Sequence, residues 1–437
     1  MLQSVRSTLS AISLLGLVIA CGGPELVISD GLGNPTGVTT ASADPALVTD
    51  PENGDLLMAW LGGEAGSWQL YFARSADSGR TWSEPVQVTQ DSAAVAPHGE
   101  ASPRLVATGS DHLLIVWPRD VNVPGRPWPA SIIQAVRSTD GGGHWTEPVT
   151  LNDDTTGSAG GHTFHGATWA GDSGIVVAWL DERSGGRGVS AGHHHTEGNT
   201  PPENAGDSTS EADAAIYMVR STDHGRTWSS NIRLWNAVCP CCRVTLDRRA
   251  DGSVTSAWRR HFPGNVRDVV VADVPLTNDT LPAPGRVYQD DWVYPGCPHA
   301  GPGMAVDDSG RTHVVWYTGR EEDPGVYYTR VSAGTNSFEP ISLLAGAGVP
   351  TTHASIVTTP AGGALLAWDR ISGGDRGIGV AWVDSGGQLR DRSVIPRSEE
   401  GAYPQVVMVG SSGAVTAWTS TVGDASRVRL ARIAMPV

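Results

Sequence analysis

Cysteine and histidine residues gather at a few points of this sequence, each just before a run of apolar residues. The segments Cys239-Pro-Cys-Cys-Arg243 and Cys297-Pro-His299 carry most of the thiols. Thiolate sulfur and imidazole nitrogen are ligands that copper and zinc accept. The sequence therefore predicts a Cu or Zn site, copper being favoured, from nine candidate ligands: Cys239, Cys241, Cys242, Cys297, His299, His165, His353, His98 and His162.

The same thiols could instead be structural. Leaving Cys21 aside, the four other cysteines lie in just two short segments. In an oxidising compartment, four cysteines suggest two disulfides with three possible pairings. A bridge from the Cys239–Cys242 segment to Cys297 would staple two neighbouring units together. The sequence leaves the staple and the metal site open, and one bridge beside one free thiol pair would accommodate both.

These residues must be positioned by a repeated β unit. An apolar run ending in tryptophan recurs seven times, at Trp60, Trp117, Trp179, Trp258, Trp316, Trp368 and Trp418. About a dozen residues before each tryptophan lies a second short apolar run, and a polar or glycine-bearing turn separates the two. Units of roughly 50 to 80 residues with about four strands each are typical of propeller blades. The pattern predicts an all-β fold, a β-propeller of seven four-stranded blades, with six blades as the alternative.

A second repeated phrase marks one turn of the blade. Ser75–Trp82, Ser138–Trp145 and Ser221–Trp228 share the order Ser-x-Asp-x-Gly with a terminal Trp. The carboxylates of Asp77, Asp140 and Asp223 can accept backbone N–H groups of a tight turn, and the glycine permits positive φ. We expect this turn between the third and fourth strands. Residues 24–29 resemble a fourth strand, and we expect them to complete the last unit and close the ring.

The three phrases resemble the Asp boxes, or BNR repeats, of the sialidase superfamily. The resemblance in blade pattern covers nearly all of the chain after Cys21 and implies a β-propeller. Asp boxes are structural, so the likeness does not by itself imply catalysis. Sialidases hold a substrate carboxylate with arginines beside a tyrosine–glutamate pair; the resemblance points to Arg104 and Arg243 as clamp residues and to Tyr403 as nucleophile. The Phe/Tyr-Arg-Ile-Pro motif is missing, and no glutamate obviously pairs with Tyr403.

Blade geometry sorts the candidate residues by face. In a four-stranded meander, the start of strand one and the end of strand two lie on one face. The Asp-box turn lies on the opposite face. The cysteines and histidines precede first strands of different blades, so we expect them to converge at the mouth of the central channel. An insertion spanning residues 183–214 should lie over this mouth.

The N-terminus reads as a targeting segment. Residues 1–20 include the apolar run Ala11–Ala20, and Leu17-Val-Ile-Ala-Cys21 resembles a bacterial lipobox. That resemblance implies export, cleavage before Cys21 and a lipid on Cys21 that anchors the protein in a membrane of the cell envelope, at the outer membrane or cell surface. An ordinary signal peptide that happens to hold a cysteine is the alternative. We expect residues 21–437 to form one propeller domain.

The net charge of the protein argues against one functional class. The formal net charge is −16 over 437 residues, which argues against a nucleic-acid partner. The leading hypothesis is a ligand-binding or metal-binding protein that uses the Cys/His-lined mouth. The alternatives are an exo-sialidase or other glycoside hydrolase with a divergent site, and a cell-surface scaffold that binds proteins.

Overall fold

The computed structural model describes residues 25–64, 67–90, 95–122, 130–154, 161–171, 173–183, 214–276, 280–332, 338–339, 341–345, 352–372, 375–423 and 425–436. The regular structure in them is almost entirely β. Three single 3-10 turns complete it, at Pro35–Val38, Gly99–Ala101 and Pro263–Asn265. No helix among the described residues has the length and apolarity needed to cross a membrane.

The strands pair into seven antiparallel sheets of four, which are the blades. An N-terminal strand, β1 (Val27–Ser29), precedes the first blade. Blade 1 is β2 (Ala41–Thr49), β3 (Leu56–Glu64), β4 (Ser67–Ser75) and β5 (Val86–Gln87); blade 2 is β6 (Arg104–Ala107), β7 (Leu113–Val121), β8 (Ala130–Ser138) and β9 (Val149–Thr150). Blade 3 is β10 (His162–Trp169), β11 (Ile175–Asp181), β12 (Ala215–Ser221) and β13 (Ile232–Arg233); blade 4 is β14 (Thr245–Arg248), β15 (Val254–Phe262), β16 (Val266–Val274) and β17 (Gly285–Arg286). Blade 5 is β18 (Gly303–Val306), β19 (Thr312–Thr318), β20 (Gly325–Val331) and β21 (Ser342–Ala345); blade 6 is β22 (Ala354–Thr358), β23 (Ala364–Ser372), β24 (Asp375–Val383) and β25 (Leu389–Val394). Blade 7 is β26 (Gly401–Val409), β27 (Gly413–Val422) and β28 (Ala425–Ala434), with β1 as its fourth strand.

The first strands form the innermost ring of the molecule. Each contacts the first strand of the next blade, and β26 returns to contact β2. The ring is closed by β1, which pairs antiparallel with β28 in the register Val27↔Ala434 to Ser29↔Arg432. The prediction of seven blades closed by an N-terminal strand is therefore confirmed, and the six-blade alternative is wrong. Counting consecutive strands along the sequence gives only three for the seventh blade. Its fourth strand, β1, comes from the other end of the chain.

The apolar runs form second strands because both of their faces are covered. The side chains of Trp60, Trp179 and Trp258 are 0%, 0% and 1% exposed, and β11 is buried along its whole length. Each blade packs face to face on two neighbours, so a second strand has no solvent face and loses the polar alternation of an ordinary surface strand. Packing between blades is thus the principal hydrophobic core.

The three Asp boxes form the expected turns between third and fourth strands. Asp77 accepts hydrogen bonds from the N–H and hydroxyl of Thr81 at 2.8 and 2.7 Å, and Ser75 Oγ accepts from Gly79 N–H at 2.8 Å. Asp140 and Asp223 repeat this pattern within their own turns. These bonds hold the pKa of Asp77 down at about 2. The turns contact the hairpins that join strands one and two: His224 N–H donates to Ser173. They therefore lie away from the channel mouth.

Candidate functional site

The channel mouth gathers side chains from all seven blades. A cavity of about 150 Å³ lies between the first strands of blades 2 to 7, with Arg104, Arg243 and Gln405 among its lining residues. Arg104 begins β6 in blade 2, and Arg243 lies just before β14 in blade 4. Two residues that the sequence assigned to a carboxylate clamp therefore line one space.

Glu100 connects the blades at this mouth. It lies in the 3-10 turn before β6 and is 0% exposed. Its carboxylate accepts from Arg243 Nη1 at 2.9 Å and from the backbone N–H groups of Arg243 and Gly301, each at 3.3 Å. His353 Nε2 approaches the same carboxylate to 3.8 Å. Glu100 thus ties blade 2 to the chain that leads into blades 4, 5 and 6. Sequence reasoning assigned this residue no role.

His353 is held as a cation. Its Nδ1 lies 2.5 Å from Asp369 Oδ2, and its Nε2 lies 2.9 Å from the carbonyl oxygen of His299. Both ring nitrogens face acceptors, so both carry protons. Burial lowers the pKa of His353, but the charge and hydrogen bond of Asp369 outweigh burial and raise it overall. A protonated imidazole has no lone pair for a metal, so this geometry suits an ion pair.

Tyr403 lies over this ion pair. Its ring centroid is 3.9 Å from that of His353, and its ring covers Gly99, where an added Cβ would come within 2.1 Å. Burial first, then the charges of Glu100, Asp369 and Asp44, raise the pKa of Tyr403 well above its ordinary value. The sequence showed no glutamate paired with this tyrosine. In the structure, the charge of Glu100 acts on Tyr403 although the two residues are far apart along the chain. The hydroxyl is a neutral phenol at physiological pH.

Left-handed backbone occurs at three equivalent points around the mouth. Asp44, Phe164 and Tyr403 adopt φ values of 52°, 53° and 53°, and each lies where the register between first and second strands shifts. Left-handed backbone is costly for residues other than glycine and persists where the fold imposes it, commonly at functional sites. The same irregularity thus recurs at the start of three blades, at the residues that contribute Asp44, Phe164 and Tyr403 to the mouth.

Asp44 is a site residue that sequence reasoning missed. It is 4% exposed and accepts the N–H of His98 at 2.6 Å. Burial raises its pKa to about 6, against the lowering effects of the His98 hydrogen bond and of Arg104. A carboxyl group with that pKa can give or take a proton near neutrality. The sequence offered little to identify Asp44 as a site residue, because Asp44-Pro45 resembles the ordinary start of a strand.

Arg104 remains available to the cavity through part of its guanidinium. Its Nε donates to the carbonyl of His165 at 3.2 Å and its Nη1 to Ser102 Oγ at 2.9 Å. Burial and the positive charge of Arg243 lower its pKa to about 10, so it stays charged. The guanidinium of Arg243 is already paired with the carboxylate of Glu100, so less of its charge is available to a ligand. The two therefore differ in what they can offer an anionic ligand.

The remaining histidines take separate roles around the mouth. The rings of His98 and His299 lie 5.9 Å apart, and both contact Phe164. His165 donates from Nε2 to Val116 O at 3.0 Å, while its Nδ1 is buried without a hydrogen-bond partner in the described part of the chain. Burial lowers the pKa of His165 to about 3, so this ring is neutral.

His162 belongs to an ion-pair network between blades 2 and 3. Its Nε2 lies 2.9 Å from Asp154 and 3.4 Å from Asp181, and its Nδ1 lies 2.6 Å from Ser131 O. Arg183 joins both carboxylates. The two aspartates outweigh burial and raise the pKa of His162. The negative charges of Asp154 and Asp181 are therefore neutralised within the network, by His162 and Arg183.

The four cysteines do come together. Residues 239–242 form a turn in which Cys242 N–H points back to Cys239 O at 3.5 Å, with Pro240 at the position that favours such turns. Cys239 Sγ lies 2.9 Å from Cys242 Sγ and 3.9 Å from Cys241 Sγ. The Cys241 thiol also hydrogen-bonds Cys297. All four are free thiols here, so the predicted staple between blades 4 and 5 is not formed in this structure.

The environment of this cysteine cluster (Cys239, Cys241, Cys242 and Cys297) is dry and electropositive. Three of its members are at most 1% exposed and pack with Phe164 and Trp258 in the core. Burial opposes ionisation of Cys239, but thiol hydrogen bonds and the charges of Arg267 and Arg259 lower its pKa overall. Burial raises the pKa of Cys242 to about 12. The cluster therefore mixes thiolate and thiol character.

Some predicted features lie outside the described residues. These are the targeting segment 1–20 with Cys21, and all of the insertion apart from its end residues 183 and 214.

Comparison with known proteins supports the architecture. No protein-family model matches this sequence, and no curated protein sequence matches it. A polysaccharide lyase of a new family, an ulvan lyase solved bound to -[GlcA(1-4)Rha3S]-, superposes with a TM-score of 0.55 at 10% identity, over 92% of this chain and 95% of that one. A protein of unknown function from Dyadobacter fermentans gives 0.50 at 12% identity, over 95% and 99% of the two chains. A Hadza microbial sialidase gives 0.46 at 14%, over 91% and 66%. At such identities the likeness shows the fold alone: this chain is a seven-bladed β-propeller similar to those of carbohydrate-active enzymes.

Proposed function

We propose that this propeller binds a metal ion through the cysteine cluster beside its channel mouth. The observation that carries the proposal is the meeting of four sulfurs from two segments, with the three Sγ atoms of Cys239, Cys241 and Cys242 within 4.8 Å of one another. Three of these thiols are buried and Cys297 is partly exposed beside them, and a group of thiols at this spacing is the ligand type that soft metal ions prefer.

The spacing suits soft or borderline ions. Tetrahedral sulfur ligands at a Zn–S distance of about 2.3 Å lie roughly 3.8 Å apart. The Cys239–Cys241 separation of 3.9 Å is close to that value, whereas the 2.9 Å between Cys239 and Cys242 must open on binding. Thiolates select Cu(I) and Zn(II) over hard cations. We therefore propose copper or zinc as the occupant.

Metal analysis of the purified, tag-free protein tests this. We expect stoichiometric Cu or Zn in the wild type and loss of most of it in Cys241→Ser. His162→Gln is the matched control, since His162 lies in the other group of possible ligands, with Asp154 and Asp181. Wild-type protein without Cu or Zn, or retention by Cys241→Ser, contradicts the proposal; loss in His162→Gln alone would move the site to blade 3.

A second candidate function is recognition of an acidic saccharide at the channel mouth. It is supported by the cavity lined by Arg104 and Arg243 and by the Tyr403, Glu100 and Asp44 cluster beside it. A guanidinium fork gives bidentate bonds to a carboxylate or sulfate. A fold neighbour is described as bound to a saccharide of GlcA and Rha3S, and the Asp boxes resemble those of sialidases.

Calorimetric titration with sialylated and uronic-acid oligosaccharides, beside turnover of a fluorogenic sialoside, tests this second candidate. We expect binding or turnover that Arg104→Ala abolishes and Arg104→Lys only weakens, because Lys keeps the charge without the fork. Arg330→Lys, a buried arginine of blade 5 paired with Glu339, controls for general effects. Equal behaviour of wild type and Arg104→Ala contradicts the assignment. Absence of both metal and saccharide binding leaves the scaffold hypothesis, for which pull-down of a partner is the test.

We further propose that the protein works in the cell envelope, carried on a lipid attached to Cys21. Support comes from the lipobox-like Leu17-Val-Ile-Ala-Cys21 and the acidic net charge. Incorporation of labelled palmitate by expressing cells, lost in Cys21→Ser and kept in Cys297→Ser, is the expected result. Labelling that persists in Cys21→Ser would contradict it.

A further inference from the structure

A cavity lies between the outer strands of blades 5 and 6 and is separate from the channel cavity. Its volume is about 310 Å³, and the two cavities share no lining residue. Three of its lining residues are polar, namely Arg370, Arg392 and Ser393. The others are Leu344, Ala345, Trp368, Gly379 and Val394. A mostly apolar space of this volume with a few polar groups has the character of a small-molecule site.

Five of these residues lie on one face of blade 6. In the sheet, Trp368 pairs with Gly379, and Gly379 pairs with Val394. Directly opposed residues share a face, and so do residues two apart in a strand. Arg370 and Arg392 stand two positions from Trp368 and Val394, so both guanidinium groups project from the face that carries the indole. This face meets β21 of blade 5 at the cavity.

Blade 6 has a glycine where three other blades have a tyrosine. The residue across from the blade tryptophan is Tyr71 in blade 1, Tyr217 in blade 3 and Tyr327 in blade 5. In blade 1, the Trp60 and Tyr71 rings stack with their centroids 5.7 Å apart. Gly379 offers Trp368 no such ring, and Nε1 of the indole comes within 2.8 Å of the point that a Cβ of Gly379 would occupy. The Nε1 atom is therefore beside a residue that lines the cavity.

In two other blades, the corresponding indole N–H binds a carboxylate that an arginine also holds. In blade 5, Trp316 Nε1 donates to Asp290 at 2.7 Å, and Arg320 pairs with that carboxylate at 3.4 Å. Blade 3 repeats the arrangement with Trp179, Asp181 and Arg183, at 2.9 Å for the indole and 2.8 Å for the arginine. The space beside this tryptophan thus accepts a carboxylate between an indole N–H and a guanidinium.

In blade 6, the same donors meet no carboxylate of the described chain. Trp368 Nε1 is buried without a hydrogen-bond partner among the described residues. Arg370 forms no hydrogen bond or ion pair with any of them, and the Arg392 side chain donates to Leu344 O at 3.2 Å. The indoles of Trp60, Trp117, Trp258 and Trp418 also lack a partner there, so the N–H alone does not define a site. At Trp368 it coincides with a cavity and two arginines.

The carboxylates next to these arginines along the chain are engaged elsewhere. Asp369, beside Arg370, pairs with His353. Asp391, beside Arg392, accepts the N–H of Leu26 at 2.7 Å. A guanidinium group is always charged in a protein, so the two arginines leave their positive charge available to a ligand.

We infer that this cavity binds a small monocarboxylic acid with an apolar body. The carboxylate lies between Trp368 Nε1 and Arg370, as the aspartates of blades 3 and 5 lie between indole and arginine. The body covers Leu344 and Val394, and burial of Val394, which is 46% exposed, favours binding. A saccharide does not suit the cavity, because its hydroxyl groups would be left without partners against an apolar wall. The site is independent of the proposed metal and saccharide sites.

Calorimetric titration of the purified protein with naphthoate and with octanoate tests the inference. We expect one equivalent to bind, and the acid that binds more tightly shows whether the preferred body is aryl or alkyl. Arg370→Gln should weaken binding about tenfold to 100-fold, because it removes a charge-assisted hydrogen bond. Arg390→Gln is the matched control, since Arg390 lies in the same outer strand, is paired with Asp384 and does not line the cavity.

Three results would overturn the inference. The first is that neither acid binds the wild type at millimolar concentration. The second is equal affinity in Arg370→Gln and Arg390→Gln. The third is loss of binding in Arg104→Ala, which would place the ligand in the channel cavity instead.

A comparison on the wild type does not depend on how the variants fold. Naphthalenemethanol has the body of naphthoate without the charge, and it should bind at least about tenfold more weakly. Glucuronate has the charge without the apolar body, and it should not displace naphthoate. Equal affinity for the alcohol and the acid, or displacement by glucuronate, would contradict the proposed contacts.

Discussion

The two faces of this propeller are built on different principles. On the Asp-box face, each turn is closed by bonds between residues at most four positions apart, as in Ser75 to Gly79 and Asp77 to Thr81. At the channel mouth, Glu100 bonds Arg243 and Gly301, which are 143 and 201 residues away. The first face repeats one local solution in three blades. The second is assembled once, from seven unlike strand starts.

This difference teaches where function can diverge in a repeat protein. A locally closed turn serves every blade equally, so its residues recur. Among the described residues, the first strands of all seven blades meet around the channel, so each blade can contribute a different group at the mouth without disturbing blade packing. Left-handed backbone at Asp44, Phe164 and Tyr403 lies at the mouth, whereas the left-handed residues of the Asp boxes serve tight turns.

The largest effect is expected from Glu100→Gln. It keeps the shape of the side chain but leaves Arg243, which is 8% exposed, without its counter-charge. Breaking a buried ion pair costs about 3 kcal/mol or more. Denaturant unfolding should show that loss. A cost below about 1 kcal/mol is typical of an exposed ion pair. That result would contradict the view that long-range buried contacts hold the mouth together.

Next is Gly142→Ala, which attacks the Asp-box face through packing. Gly142 has φ +98°, and an added Cβ would lie 2.1 Å from the Phe72 ring of the preceding blade. We expect a loss of about 2 to 4 kcal/mol from backbone strain and overpacking together. Gly54→Ala is the matched control: φ is +77° with nothing within 4 Å, so only about 1 kcal/mol is expected. Equal thermal shifts in the two variants would contradict the interblade contact.

A smaller, repeated effect is expected from Ser75→Ala, Ser138→Ala and Ser221→Ala. Each removes the hydroxyl that accepts a glycine N–H at 2.8 or 2.9 Å. Each should cost about 1 kcal/mol, and the three values should agree closely, because the turns are equivalent. If the three free energies of unfolding differ from one another as much as those of variants at the mouth, the three Asp-box turns are not equivalent.

The smallest effect is a pH dependence confined to the mouth. The pKa of His353 is raised, so its pairing with Asp369 stabilises the fold fully below pH ~6.5 and is lost as pH rises through the folded pKa. The pKa of Asp369 is lowered to about 2, so its share is present above pH ~4 and lost as pH falls toward that value. His353→Gln should flatten the stability profile between pH 6 and 8, whereas Ser75→Ala should leave its shape unchanged. A profile unaltered by His353→Gln would contradict the ion pair.

Much of the architecture is legible in the sequence. The tryptophan-terminated runs predict seven blades, and the Asp phrases predict turns that form with the expected bonds. The spacing of Cys239, Cys297 and His98 before first strands predicts their approach at one mouth. What sequence reasoning missed, Asp44 and the charge of Glu100 on Tyr403, lacks any local signature, because a single Asp or Glu is ordinary in a strand or turn.

By itself, the sequence favoured seven blades over six and determined the Asp-box turns and the face on which the cysteines and histidines are concentrated, because each follows from hydrogen bonds and apolar periodicity within one short segment. Only the tertiary structure decided the partners: that Glu100 binds Arg243, and that Asp369 charges His353. Those are charge balances in a dry interior. Their energies depend on which distant groups share a low-dielectric space, and no spacing along the chain records that.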